Sequence, residues 1–122
     1  MAQAKKVVEQ AETRLTSKEL QDAEDAYCSI ENALDIIGGK WSFLILRELY
    51  EGPQRFNELR RRLHGISPKS LTDALRHLEA NGVVERRVFA TVPVTVEYSV
   101  TNKGHAFHAV LKAMKKWGKE WA

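Results

Sequence analysis

The chain has 122 residues, a length that fits one domain, and its 43% apolar content is enough for a core, which excludes wholesale disorder. Nineteen Lys and Arg stand against sixteen Asp and Glu, and the resulting charge of +3 points by itself to no partner. The single cysteine, Cys28, excludes a disulfide framework within the chain, and no apolar run approaches the roughly 20 residues that span a bilayer.

The placement of charge says more than its sum. Between Arg55 and Arg87 eight basic residues face four acidic ones, whereas the first twenty-six residues hold four basic and six acidic groups. Positive charge collects in one part of the chain, as a polyanion-binding surface requires. The polar N-terminus lacks the apolar stretch of a signal peptide, so a reducing cytoplasm is the expected compartment.

Residues 3–15 are rich in helix formers, with Val7, Val8, Ala11 and Leu15 on one side. Thr16 and Glu19 have the spacing of a capping box, which predicts a helix from there to about Ala26. A further short helix is expected from Ser29 to Ile37, stopped by Gly38-Gly39. Another follows from Lys40 to Tyr50, with Trp41, Leu44, Ile45 and Leu49 inward. A short helix from Arg55 or Phe56 to Gly65 turns Phe56, Leu59 and Leu63 inward. Ser67 is a good N-cap and Pro68 suits the first helical position, so the next helix runs from Ser67 to Asn81, closed by Gly82. Its packed face is Leu71, Ala74, Leu75 and Leu78.

The apolar period then changes from helical to alternating. VVERRVFA and TVEYSV read as two strands of a hairpin, interrupted around Thr91–Val94, where Pro93 cannot continue a ladder. Thr101 caps a last helix expected from Asn102 to about Trp121. It carries Phe107, Val110, Leu111, Met114, Trp117 and Trp121 along one stripe.

Helix, turn, helix and a two-stranded hairpin is the order of a winged helix-turn-helix, an α+β fold that is mainly helical. In the helix after Ser67, Lys69, Thr72 and Arg76 recur at i, i+3 and i+7 on the face away from the leucines. Ser70, Asp73 and His77 form the adjoining row. Arg76 can bond a guanine edge with both of its terminal nitrogens, and Ser67 and Ser70 sit where a helix N-terminus favours phosphates. Arg55, Arg60 and Arg61, with Arg62, are expected along the DNA backbone. Arg86 or, as the preferred choice, Arg87 is expected to touch phosphates or the minor groove from the wing, together with Thr91 at its tip. A solvated charged helix face explains any one of these features; their conjunction favours double-stranded DNA as partner.

Two other classes compete. A catalyst is disfavoured because His64, His77, His105 and His108 show no HExxH spacing and make no zinc set with one cysteine, and no phosphate loop or dinucleotide motif is present. No metal, cofactor or catalytic residue is therefore expected. A winged helix that binds protein is the second rival, and an acidic or apolar reading face would favour it; this face is basic and polar.

Cys28 with ALDIIGGKWSFLILREL, the stretch RFNELRRRLHGISPKSLTDALRHLEANGVVERR and the stretch VPVTVEYSVTNKGHAF resemble the HxlR-type regulators, a branch related to the MarR group. The resemblance covers about residues 28–110, and GGKW and VEYSVT–KG carry most of its specificity. It implies a winged helix over 27–122, preceded by a helical arm over 1–26, and a homodimer built on terminal helices such as 102–122. It also implies a palindromic operator and, most often, repression. Pro93-Val94 stands where the family commonly has a second proline. The stripe from Phe107 to Trp121 argues for a dimer independently, because it is more apolar than the last helix of a small domain needs.

Cys28 is expected just before a helix, where the helix N-terminus would activate its thiol, while Asp25 and Glu31 oppose this. The resemblance implies a cysteine here that senses oxidants or electrophiles. A structural cysteine in a regulator that answers to a small molecule is the alternative.

Overall fold

The computed structural model describes residues 16–122; the helix expected over residues 3–15 lies outside them. The chain divides between Asp35 and Ile36.

Helix α1 spans Ser17–Ile37. Its start is the predicted capping box: Thr16 N–H donates to Glu19 Oε2 at 2.7 Å, and Glu19 N–H donates to Thr16 Oγ1 at 3.2 Å. The break expected between Ala26 and Ser29 does not occur. Ser29 Oγ donates back to the Asp25 carbonyl at 2.8 Å, so its hydroxyl serves the preceding turn and caps no new helix. No Gly or Pro interrupts the run, and Gly38, at φ +84°, ends it.

From Ile36 onward the elements are α2 (Lys40–Leu49), β1 (Gln54–Arg55), α3 (Phe56–Arg62), α4 (Pro68–Ala80), β2 (Val84–Phe89), β3 (Thr95–Val100), α5 (Asn102–Ala106) and α6 (His108–Trp121). The core joins Ile45, Leu46 and Leu49 of α2, Leu59 of α3, Leu71, Leu75 and Leu78 of α4, and Val83–Val84 entering the sheet. Each such leucine contributes roughly 1.5–3 kcal/mol by leaving water. Leu46 is buried in α2, whereas Trp41 and Leu44 are only half-buried, so the inward face is rotated from the expected one.

The expected hairpin is one strand short. The sheet has three antiparallel strands in the order β1-β3-β2, with Gln54 opposite Tyr98 and Arg86 opposite Tyr98 on the other side. β1 is two residues long and follows Gly52-Pro53, too short for an alternating pattern. Gln54 is held by its side chain: Nε2 donates to the Glu48 carbonyl at 2.7 Å, joining β1 to the end of α2.

The expected single last helix is two helices meeting at Phe107. Thr101 Oγ1 accepts from Gly104 N–H at 3.2 Å, as the cap predicted. The Gly104 carbonyl, which would continue the ladder to residue 108, instead accepts from Phe107 N–H at 3.1 Å and from Tyr50 Oη at 2.7 Å. A side chain entering the ladder bends a helix at that point. Burial raises the Tyr50 phenol above its ordinary pKa, which keeps the donating proton in place. Its ring lies 4.3 Å from that of His108, and Phe43 meets Phe107 at 5.8 Å.

Candidate nucleic-acid interface

The helix expected to read DNA is α4. Ser67 Oγ accepts from Ser70 N–H at 3.0 Å and donates to Ser70 Oγ at 3.0 Å, which fixes the first turn and leaves Ser70 its own hydroxyl proton. With Leu71, Leu75 and Leu78 fully buried, the opposite side of α4 faces solvent. Lys69 and Asp73 both lie there and pair with each other, Nζ to Oδ2, at 2.9 Å. Their side chains are 85% and 58% exposed, so the pair is worth little and Lys69 can exchange it for a phosphate. Arg76 makes no ion pair among the described residues. It shares a polar groove with half-buried Thr72, Glu79, Arg86 and Tyr98.

The second row of α4 is turned partly away. His77 packs beside Gly38, where an added Cβ would stand 3.2 Å from the ring, and Asn81 Nδ2 donates to the His77 carbonyl at 2.9 Å. Ser70, Asp73 and His77 thus line a groove against the start of α2, with Lys40 and Trp41 opposite.

The arginine triplet of α3 splits by partner. Arg62 reaches Glu51 at 3.0 Å and Glu48 at 3.7 Å, so it ties α3 to the end of α2. Arg60 and Arg61 are exposed and form no ion pair among the described residues. Arg61 and Arg55 line a cleft between the start of α3 and the near end of β3, with Pro93, Val94 and Glu97 on its far side.

The wing also divides its two arginines. Arg87 Nε donates to Glu85 Oε1 at 2.6 Å, and Ser99 Oγ donates to the same oxygen at 3.3 Å. Arg86 has the parity of buried Val84 and so faces α4, beside Arg76. Strand alternation around Val84 is the signal that separates Arg86 from Arg87. Thr91, expected at a phosphate or the minor groove, directs its hydroxyl into the loop instead: Oγ1 donates to the Pro93 carbonyl at 2.8 Å and lies 2.8 Å from Thr95 Oγ1. Sequence reasoning passed over Val88, Phe89, Val92 and Val94, all exposed on this hairpin.

Cys28 is exposed but lies in the middle of α1, so the helix-end argument for an activated thiol fails: the dipole acts within the first turn. Of the apolar stripe, Phe107 and Leu111 are half-buried, while Val110, Met114, Trp117 and Trp121 are exposed. Among the described residues no group of His, Cys, Asp and Glu could hold a metal ion, and no helix is long and apolar enough to cross a membrane.

Residues 36–122 match the model of the HxlR-like helix-turn-helix family. The chain is 45% identical over 94 residues to the HTH-type transcriptional regulator YdeP of Bacillus subtilis, covering 77% of this chain and 73% of that one. Among solved structures it is similar to the redox regulator HypR in its oxidised form, with a TM-score of 0.74 and 42% identity over 78% of this chain and 98% of that one. The reduced form of the regulator YodB from B. subtilis is also similar, with a TM-score of 0.70 and 38% identity over 77% and 92% of the two chains.

Proposed function

The chain belongs to the HxlR-like helix-turn-helix family and is a DNA-binding transcriptional regulator of winged-helix fold, and we propose that it binds a palindromic operator as a homodimer and represses the genes beside it. The observation that carries this reading is α4. It is capped at Ser67 and packed on three leucines, and it presents Arg76, which has no ion pair among the described residues, next to Arg86 of the wing. Arg76, Lys69 and Thr72 read bases, and Ser67, Ser70, Arg60, Arg61 and Arg55 hold phosphates. Asp73 and His77 border this face, and Arg87 and Thr91 support the wing from within. The exposed residues Val110, Met114, Trp117 and Trp121 form the dimer face, with Phe107 and Leu111 at its base.

Selection of bound fragments from random DNA tests this. Two half-sites related by dyad symmetry, about one helical turn apart, are expected. Arg76→Ala should cost about 1–3 kcal/mol and relax one operator position, while Arg61→Ala weakens all sequences alike. An affinity indifferent to salt would sink the reading.

A switch at Cys28 is the second element of the proposal, favoured by the exposure of its thiol and by the relatives named as redox regulators. With one cysteine per chain, Cys28 would form an adduct with an electrophile or join a second thiol, Cys28 of another protomer or a small thiol, in a disulfide, passing two electrons and two protons to an oxidant such as diamide. Operator release by diamide should vanish in Cys28→Ser; a release that persists in that variant removes Cys28 from the switch.

A further inference from the structure

The tip of the wing carries no charge. From Val88 to Val96 the sequence is VFATVPVTV, nine residues without an ionisable side chain, bounded by Arg86-Arg87 and Glu97. Val92 is fully exposed, and Val88, Val94 and Phe89 are 57%, 64% and 40% exposed. Strand preference accounts for Val88 and Phe89, which lie in β2. It does not account for Val92 and Val94, which lie in the connection between β2 and β3, where polar residues are usual. The two hydroxyls that a polar tip would offer are turned on the loop itself. Thr91 Oγ1 donates to the Pro93 carbonyl and is bonded to Thr95 Oγ1. The side chains that reach solvent furthest are those of Val92 and Val94.

We propose that this tip, with Val92 foremost, enters the DNA minor groove as an apolar wedge and discriminates against G·C pairs there. The inference rests on the DNA-binding reading. Three observations choose DNA over another protein surface. Arg61 and Arg55 line the cleft against Pro93 and Val94, and Arg86 lies on the α4 side of the wing; none of the three makes an ion pair among the described residues. Glu58 and Glu97 share that cleft and Glu79 lies in the groove with Arg86; the three guanidiniums stand behind the tip, where they can meet the phosphates that flank a groove. No acidic residue lies on the tip to be repelled by those phosphates. The minor groove is about 6 Å wide, which admits a narrow hairpin end and not a helix. Its floor is lined by acceptors at A·T pairs, and a G·C pair adds the guanine 2-amino group. A valine methyl can lie against an A·T floor. Against a G·C floor it meets the protruding amino group and leaves that donor without a partner. Apolar side chains of other minor-groove proteins go further and insert between base steps; here contact with the groove floor suffices. The tip therefore contributes sequence preference without adding to the salt dependence, because it releases no counterions.

The test uses the full-length protein and the selected operator, varied only where the wing meets the flanking minor groove. The flank carries A·T, G·C or inosine·C pairs; inosine keeps the major-groove edge of guanine and lacks the 2-amino group. Wild type should bind the A·T and inosine·C flanks alike and the G·C flank about tenfold more weakly. Val92→Ser should level the three, lose affinity for the A·T flank, and keep the salt slope. Its melting temperature should match wild type, since Val92 packs on nothing. The proposal is overturned if Val92→Ser binds all three flanks as wild type does, or if inosine·C behaves as G·C. It is overturned also if Val92→Ser changes the sedimentation coefficient, which would place the tip against a second copy. Wild type that binds no duplex at all removes the DNA reading and this inference together, whereas wild type that binds while Val92→Ser is indifferent removes only the wedge.

Discussion

Gly104→Ala and Gly118→Ala are the same substitution in neighbouring helices, and the structure gives them opposite signs. A Cβ on Gly104 would overlap the Val83 carbonyl oxygen and Val100 Cγ1. Neither can move freely. Val83 is in the core, and its carbonyl accepts from Thr101 N–H at 3.1 Å and from Thr101 Oγ1 at 3.0 Å. Overpacking costs about 1–3 kcal/mol, and weakening the Thr101 bonds adds about 1 kcal/mol. The gain in helix propensity from Gly to Ala returns at most about 1 kcal/mol. The net is a loss of about 1–3 kcal/mol, or about 4–12 °C in melting temperature for a domain of this size. At Gly118 nothing lies within 4 Å of the added Cβ, so only the propensity gain remains and the melting temperature should rise by a few degrees. Thermal denaturation followed by circular dichroism, at one fixed protein concentration, measures both. A Gly104→Ala protein that melts at or above wild type would refute the steric argument.

Arg62→Ala should leave DNA affinity and its salt slope unchanged, because Arg62 is engaged with Glu51 and Glu48; its stability cost, read by urea denaturation, should stay under about 1 kcal/mol. Trp117→Ser combined with Trp121→Ser should convert the proposed dimer to monomer in sedimentation velocity, and a dimer that survives would move the interface elsewhere. Tyr50→Phe removes the hydroxyl that holds the Gly104 carbonyl and should cost about 0.5–1.5 kcal/mol in urea denaturation.

The parts of this fold that were legible in the sequence are those set by local chemistry. The Thr16–Glu19 capping box, the Ser67-Pro68 start of α4 and the Thr101 cap all form as the residue spacing predicts. The parts that were not legible depend on distant partners. β1 exists because Gln54 is buried and Tyr98 lies opposite, and two residues carry no period. The bend at Phe107 comes from Tyr50, fifty-four positions before Gly104. α1 reads as two helices because Ser29 resembles a cap, and only its bond to Asp25 shows which way the hydroxyl is used. At the reading surface, residue type predicted which cations exist but not which are already occupied. Arg60, Arg61 and Arg62 are identical in sequence terms, and only Glu48 of α2 and Glu51 just after it tell them apart.

That occupancy fixes a number. Of the eight basic residues between Arg55 and Arg87, three are paired internally: Arg62 with Glu51 and Glu48, Lys69 with Asp73, and Arg87 with Glu85. Five arginines remain without an ion pair among the described residues, at 55, 60, 61, 76 and 86. All five carry a guanidinium, which matches a phosphate with two parallel bonds and keeps its charge at any working pH. If each neutralises one phosphate, log K against log salt should fall with a slope of about −4.5 per protomer, or about −9 for a dimer. Direct base contact by Arg76 would reduce this by about one unit per protomer, and Lys69 leaving Asp73 for a phosphate would restore it. Neutralisation of all eight would instead give a slope of about −7 per protomer. A measured slope at that steeper value would mean that Arg62 and Arg87 abandon their carboxylates on binding, and that the ion pairs seen here do not survive on DNA.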